Sequence, residues 1–305
     1  MAVMILRAVR RCLLLLVCLL AAGPSAAVDL VVEAPLELAP LAARLRALDP
    51  VQLEGAVRLV GLAEAGPPIR VLLAGEGSLQ ALSAPAWVAG YALPEQGVVV
   101  LFPQRAPRYP DASIEDLLRH EVAHVLVGRA SGFRPLPRWF HEGSAMIAGL
   151  SWSLGEQARL ANVLVRGGEV PLEDLDRRFG GSEGEVQSAY TLAGAFVRDL
   201  LRRQGREVLG TILAGVASGL PFENAFVRAT GTTLAVAEQT FWERQTFWYR
   251  WVPFLTSSVV LWIFITLLAL WAMRRRRQRD AAQKAAWEAE EIARALREEN
   301  LPGPM

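Results

Sequence analysis

From Val252 to Met273 the chain carries no charged residue, and the next four residues, Arg274 to Arg277, are all arginine. At 1.5 Å per residue, a helix over this stretch reaches across a hydrocarbon core about 30 Å thick. Trp248, Tyr249 and Trp251 precede it and Trp271 lies near its end, where aromatic rings meet a membrane interface. A helix buried in a soluble core does not account for four consecutive arginines. Arg279 and Lys284 reinforce the basic side, whereas only Arg244 and Arg250 stand close on the other. This asymmetry predicts a transmembrane helix over 252–273, with residues 274–305 in the cytoplasm and 28–245 outside it.

The other apolar concentration is at the start. Arg7, Arg10 and Arg11 precede the run from Cys12 to Ala22, and Ser25, Ala26 and Ala27 follow. Positive, apolar and small residues in that order predict a secretory signal peptide over 1–27. The apolar run is short for the alternative, an uncleaved anchor. Both cysteines, Cys12 and Cys18, fall inside it, so a mature chain has no disulfide and no cysteine metal site. The net charge of +1 argues against a nucleic-acid partner, since no domain-wide basic face is present. A length of 305 residues allows one substantial domain with accessory segments.

Within that domain, Val28 to Val32, Ile69 to Ala74 and Gly97 to Phe102 read as short strands, the last being the richest in β-branched residues. Helical spacing runs over Pro40 to Leu48 and Val51 to Ala63. From residue 113 onward the pattern is helical, interrupted by Gly and Pro near 132–137, 167–171 and 180–184. Helices are expected over about 188–204, 206–216, 221–229 and 233–247, and a charged one over 280–300. The fold class is α+β, a small sheet followed by a helical half.

All three histidines lie between positions 120 and 141. Two form the run His120-Glu121-Val122-Ala123-His124. Ser113 followed by Asp116 signals a helix start just upstream. On that helix His120 and His124 share a face one turn apart, so both imidazoles reach one ion at about 2.0–2.1 Å. Glu121 beside them is placed to take a proton from a metal-activated water. A catalytic zinc takes a third protein ligand, and Glu142 is the candidate, 18 positions after His124 at the start of a second apolar helical run. The plainer alternatives are surface histidines, and a Glu142 that only complements a helix N-terminus. His141 reads as a solvent-facing or supporting residue.

At these residues the sequence resembles the gluzincin, thermolysin-like, branch of zinc metallopeptidases, and within it the bacterial peptidase-MA-like group. That group pairs His-Glu-x-x-His with a downstream Trp-x-x-Glu-Gly-x-Ala, here Trp139 to Ala145. The similarity extends over about residues 65–245, including Pro85 to Ala92, the strand 97–102, Ala189-Tyr190 and Phe241-Trp242. The resemblance implies Zn2+ on His120, His124 and Glu142, with Glu121 as general base. It also implies that 97–102 is the edge strand at the site, pairing with an extended peptide. It puts a tyrosine near Tyr190, which is either a donor to the developing oxyanion or a packing residue. Two departures stand out. Met146 occupies a place where the group often has an acid that orients a ligand imidazole. That role then passes to Asp116 or Glu115, or is absent. No Gly-x-Met-Glu-Asn segment occurs, which disfavours an aminopeptidase.

The sequence is thus expected to encode a membrane-anchored zinc metallopeptidase with a peptide or protein substrate, facing outward from a bacterial cytoplasmic membrane. The rival reading is a membrane-tethered binding or scaffold module of the same fold with little turnover.

Overall fold

The structure, a computed structural model, describes residues 27–150, 152–167, 169–255 and 258–299. The expected signal peptide, with both cysteines, lies outside the described residues except for Ala27. The chain divides into two compact units, one up to Gln245 and one from Thr246 onward.

In the first unit, strands β1 (Leu30–Glu33), β2 (Ile69–Leu73), β3 (Gly90–Leu93) and β4 (Val98–Leu101) form one mixed sheet. Helices α1 (Ala39–Arg46) and α2 (Pro50–Leu59) connect β1 to β2, and the short α3 (Leu79–Ser83) lies between β2 and β3. The sheet order is β1-β2-β4-β3; β1, β2 and β4 run parallel, and β3 runs antiparallel to β4 with Gly90 opposite Leu101.

This order corrects the expected edge strand. Segment 97–102 supplies β4, which is interior, and the edge is β3. Every residue of β4 is buried, as suits a strand covered on both faces and paired on both sides. Gly97 takes a left-handed backbone, φ 62°, so the strand begins only at Val98.

The two faces of the sheet are covered differently. Ile69, Val71, Leu73, Val99 and Leu101 join the main core. Val98, Val100 and Phe102 point the other way, into a small cluster with Ala74 and Ala81. The segment 76–88 roofs that second cluster. Arg105 fastens it, donating to both carboxylate oxygens of Glu76 at 2.9 and 3.0 Å and to the carbonyls of Ala81, Pro85 and Val88. Its guanidinium also lies 4.4 Å from the centre of the Phe102 ring.

The helical half comprises α4 (Ile114–Ala130), α5 (Arg138–Gly149), α6 (Leu154–Gly167), α7 (Leu172–Arg178), α8 (Glu183–Gln204), α9 (Val208–Ala217), α10 (Phe222–Thr230) and the start of α11 (Leu234–Leu255). The expected cap holds: Ser113 Oγ accepts the amide of Asp116 at 3.0 Å. Ser182 and Glu185 form a capping box on α8, which therefore starts five residues before the expected position 188. Helix α5 packs against both α4 and α8, and α4 also packs against β3 and β4. Trp139, Phe140, Phe196 and Phe222 meet edge to face at the centre of this half.

In the second unit, α12 (Ser258–Glu299) is one long helix. Its segment Ser258–Ala281 is long and apolar enough to cross a membrane. The first residues of the expected span, Val252 to Leu255, are helical as well, at the end of α11. The charged stretch expected as a separate helix continues α12 without interruption.

Candidate metal centre

Helix α4 carries His120, Glu121 and His124, all buried. The i, i+4 spacing stacks the two imidazoles one turn apart, with ring centres 4.7 Å apart. Glu142 arrives one turn into α5, and two glycines let α5 approach closely enough. A Cβ on Gly149 would lie 2.6 Å from the Arg119 carbonyl oxygen and 2.9 Å from His120 Cα. A Cβ on Gly143 would lie 2.5 Å from the Ala193 carbonyl oxygen of α8.

The result is a convergence of three donor atoms. His124 Nε2 is 3.1 Å from His120 Nε2 and 3.3 Å from Glu142 Oε2, and His120 Nε2 is 3.8 Å from the same oxygen. A point equidistant from all three lies about 2.0 Å from each, inside the range of zinc–nitrogen and zinc–oxygen bonds. Glu142 Oε2 is buried and has no hydrogen-bond partner, so its contacts with the imidazoles lack hydrogen-bond geometry. Three lone pairs aimed at one point, one of them anionic, form a set that a divalent cation satisfies. His120, His124 and Glu142 thus form a possible metal-binding triad.

The surroundings bias the site towards positive charge. Burial opposes charge on His120, but the carboxylates of Asp111, Glu142 and Glu121 outweigh it and raise the imidazole to about 9. Burial also opposes charge on Glu142, yet the two histidines hold its carboxyl well below the usual range. Glu121 shifts upward, chiefly through burial, which makes it a stronger base than an exposed glutamate. It lines the same cleft as the three donors, a cavity of about 640 Å³.

His141 has a sharper place than the sequence suggested. Its ring stacks on His124, centres 4.6 Å apart, and the two Nδ1 atoms are 3.0 Å apart. Burial, followed by repulsion from His124, lowers His141 to about 3, so it stays neutral. With its own proton on Nε2, it accepts the Nδ1 proton of His124 and leaves His124 Nε2 free to bind. Glu115 and Asp116 are committed elsewhere. Glu115 pairs with Arg44 at 2.6 Å, and Asp116 bonds with Ser113 and Arg119.

Tyr190, on α8, lines the cleft with its ring edge-on to His120 at 6.3 Å and to Phe179 at 5.1 Å. Burial, then Glu142 and Glu121, raise its phenol well above 10, so the hydroxyl stays protonated and able to donate.

Sequence reasoning missed two further parts of the cleft. The edge strand β3 forms one wall, continued by Trp87, which remains 58% exposed. Asp111 comes from the loop before α4 and is buried. Neither carries a recognisable signal: β3 is four residues with one aromatic, and Asp111 stands alone between Pro110 and Ala112.

No protein-family model matches the chain, and a search of curated proteins returns no match.

Proposed function

We propose that the chain is a zinc-dependent metallopeptidase of the gluzincin type, held at a membrane by α12, with residues 28–245 facing outward from a bacterial cytoplasmic membrane. The observation that carries this reading is the convergence of His120, His124 and Glu142 on one point, with the buried carboxyl of Glu121 in the same cleft. Zinc held there would polarise the scissile carbonyl and lower the pKa of a water molecule.

The chain's own groups do the rest. Glu121 takes the proton of the attacking water as the new C–O bond forms, then delivers it to the amine as the C–N bond breaks. Its raised proton affinity suits both halves of that transfer. The Tyr190 hydroxyl donates to the oxygen on which negative charge develops. Strand β3 offers its unpaired edge to the cleft, where an extended peptide adds as a further strand.

The test compares wild type with Glu121→Gln, full length in detergent micelles, on an unstructured protein substrate. The glutamine keeps the shape but cannot accept the proton, so activity is expected to fall about 10²–10⁴-fold with zinc content unchanged. Full activity in Glu121→Gln would refute the mechanism. Wild type that retains zinc but cleaves nothing would instead favour a tethered binding module.

A further inference from the structure

We infer that Asp111 is the positioning residue for His120: its carboxylate accepts the Nδ1 proton of that imidazole and so turns the Nε2 lone pair towards the metal. This rests on the metal-site reading above and adds a residue to it from a different part of the chain.

The two ligand imidazoles are not supported alike. His124 has its Nδ1 satisfied by His141, whereas His120 Nδ1 is buried with no hydrogen-bond partner. Such an orphan inside a protein costs free energy unless something answers it. Asp111 carries the complementary defect. The residue is 7% exposed, and its Oδ1 is likewise buried without a partner. Both residues line the same cleft.

The Nε2 side of His120 is already occupied by His124 at 3.1 Å and Glu142 at 3.8 Å. The carboxylates of Asp111 and Glu142 both favour protonated His120. With the Nε2 side taken, the orphan Nδ1 is the donor left to answer the Asp111 carboxylate. In return His120 is the group that most favours the ionised form of Asp111, against the burial that pushes its carboxyl up to about 6. Of the acids the sequence pointed to, Glu115 and Asp116 are bound elsewhere, and Met146 offers no oxygen.

The proposed bond joins one orphan donor to one orphan acceptor. A carboxylate in that position fixes the tautomer, holds the ring plane and makes the imidazole a better ligand. Asp111 is held for this by its own turn, in which its amide donates to the Arg108 carbonyl at 2.8 Å.

The test strips metal from the full-length protein in micelles and titrates zinc against a chromophoric chelator, with cobalt(II) as a second probe read by its visible spectrum. Asp111→Ala is expected to weaken zinc binding about 10–100-fold and to alter the cobalt bands. Asp111→Asn keeps an oxygen that accepts the same bond, so it is expected to bind zinc between the two and to keep the wild-type cobalt band shape. Melting of the metal-free proteins shows whether each variant folds; if the alanine variant does not, the asparagine variant carries the comparison. Zinc affinity within twofold of wild type and an unchanged cobalt spectrum in the folded variants would overturn the inference alone. A wild-type chain that binds no zinc would overturn it together with the metal-site reading.

Discussion

Gly143 is the smallest change through which the packing argument for the metal site can be examined. A Cβ there meets the backbone of α8 at 2.5 Å from Ala193 O and 2.8 Å from Ala193 C, and Val197 Cγ2 also at 2.8 Å. Ordinary contact needs about 3.5 Å, so α5 must retreat by roughly 1 Å. Backbone cannot swing aside as a flexible side-chain end can, which puts the cost at the upper end of overpacking, about 3 kcal/mol. Replacing glycine by alanine inside a helix returns about 1 kcal/mol, leaving a net loss of about 2 kcal/mol. For a domain of this size that is a fall in Tm of about 4–8 °C. The functional effect is larger, because Glu142 is the adjacent residue. A shift of the carboxylate by about 1 Å moves its oxygen off the point shared with the histidines by about half a metal–ligand bond length, enough to spoil the coordination. Gly143→Ala is therefore expected to lower both Tm and zinc affinity, read by calorimetry of the metal-free protein and by chelator competition. Gly55→Ala is the control, a helical glycine with nothing within 4 Å of the added Cβ, and it is expected to raise Tm slightly. If Gly143→Ala behaves like Gly55→Ala in both measurements, the wedge of α5 between α4 and α8 does not position Glu142.

Three further outcomes follow from contacts described above. The folded-state pKa of His141, about 3, lies below its value of about 6.5 in an unfolded chain, so the unfolded chain binds more protons between those limits. Stability of the metal-free protein should fall as pH drops from 6.5 towards 3, and His141→Gln should flatten that slope in Tm measured against pH. Arg105→Met should release segment 76–88, seen as faster amide hydrogen exchange there while α4 and α8 keep their protection; unchanged exchange would remove the fastening role of Arg105. A reporter active only outside the cytoplasm should work when fused after residue 245 and fail at the C-terminus, and the opposite pattern would reverse the orientation.

How much of this was legible depended on how local each signal is. The i, i+4 histidines, the Ser113 cap and the 18-residue interval to Glu142 are short-range patterns, and the structure brings those three donors together as the spacing implied. Apolar composition found β4 but misplaced it, because a uniformly buried run says that a strand is covered and not which neighbours it has. The true edge, β3, has a half-buried pattern too short to stand out, and its role depends on pairing with a strand that follows it in sequence. His141 looked incidental because its value lies in stacking on a residue 17 positions away. Asp111 was invisible for the same reason, since only the folded loop places it in the cleft beside His120.

That loop, from Pro103 to Ser113, acts as the mechanical crossroads of the domain. Arg105 fastens the segment that roofs the sheet, and Arg108 donates to the Trp87 carbonyl at 3.0 Å, just ahead of the edge strand. Tyr109 reaches the other way, its hydroxyl 2.7 Å from Thr191 on α8 and 3.2 Å from Glu156 on α6. Connecting loops in enzymes ordinarily absorb insertions and drift in length without harm. Here an inserted residue would shift three anchors out of phase at once, at the β3 wall of the cleft, at the helix carrying Tyr190, and at Asp111. Length variation among homologous chains should therefore be refused between 103 and 113.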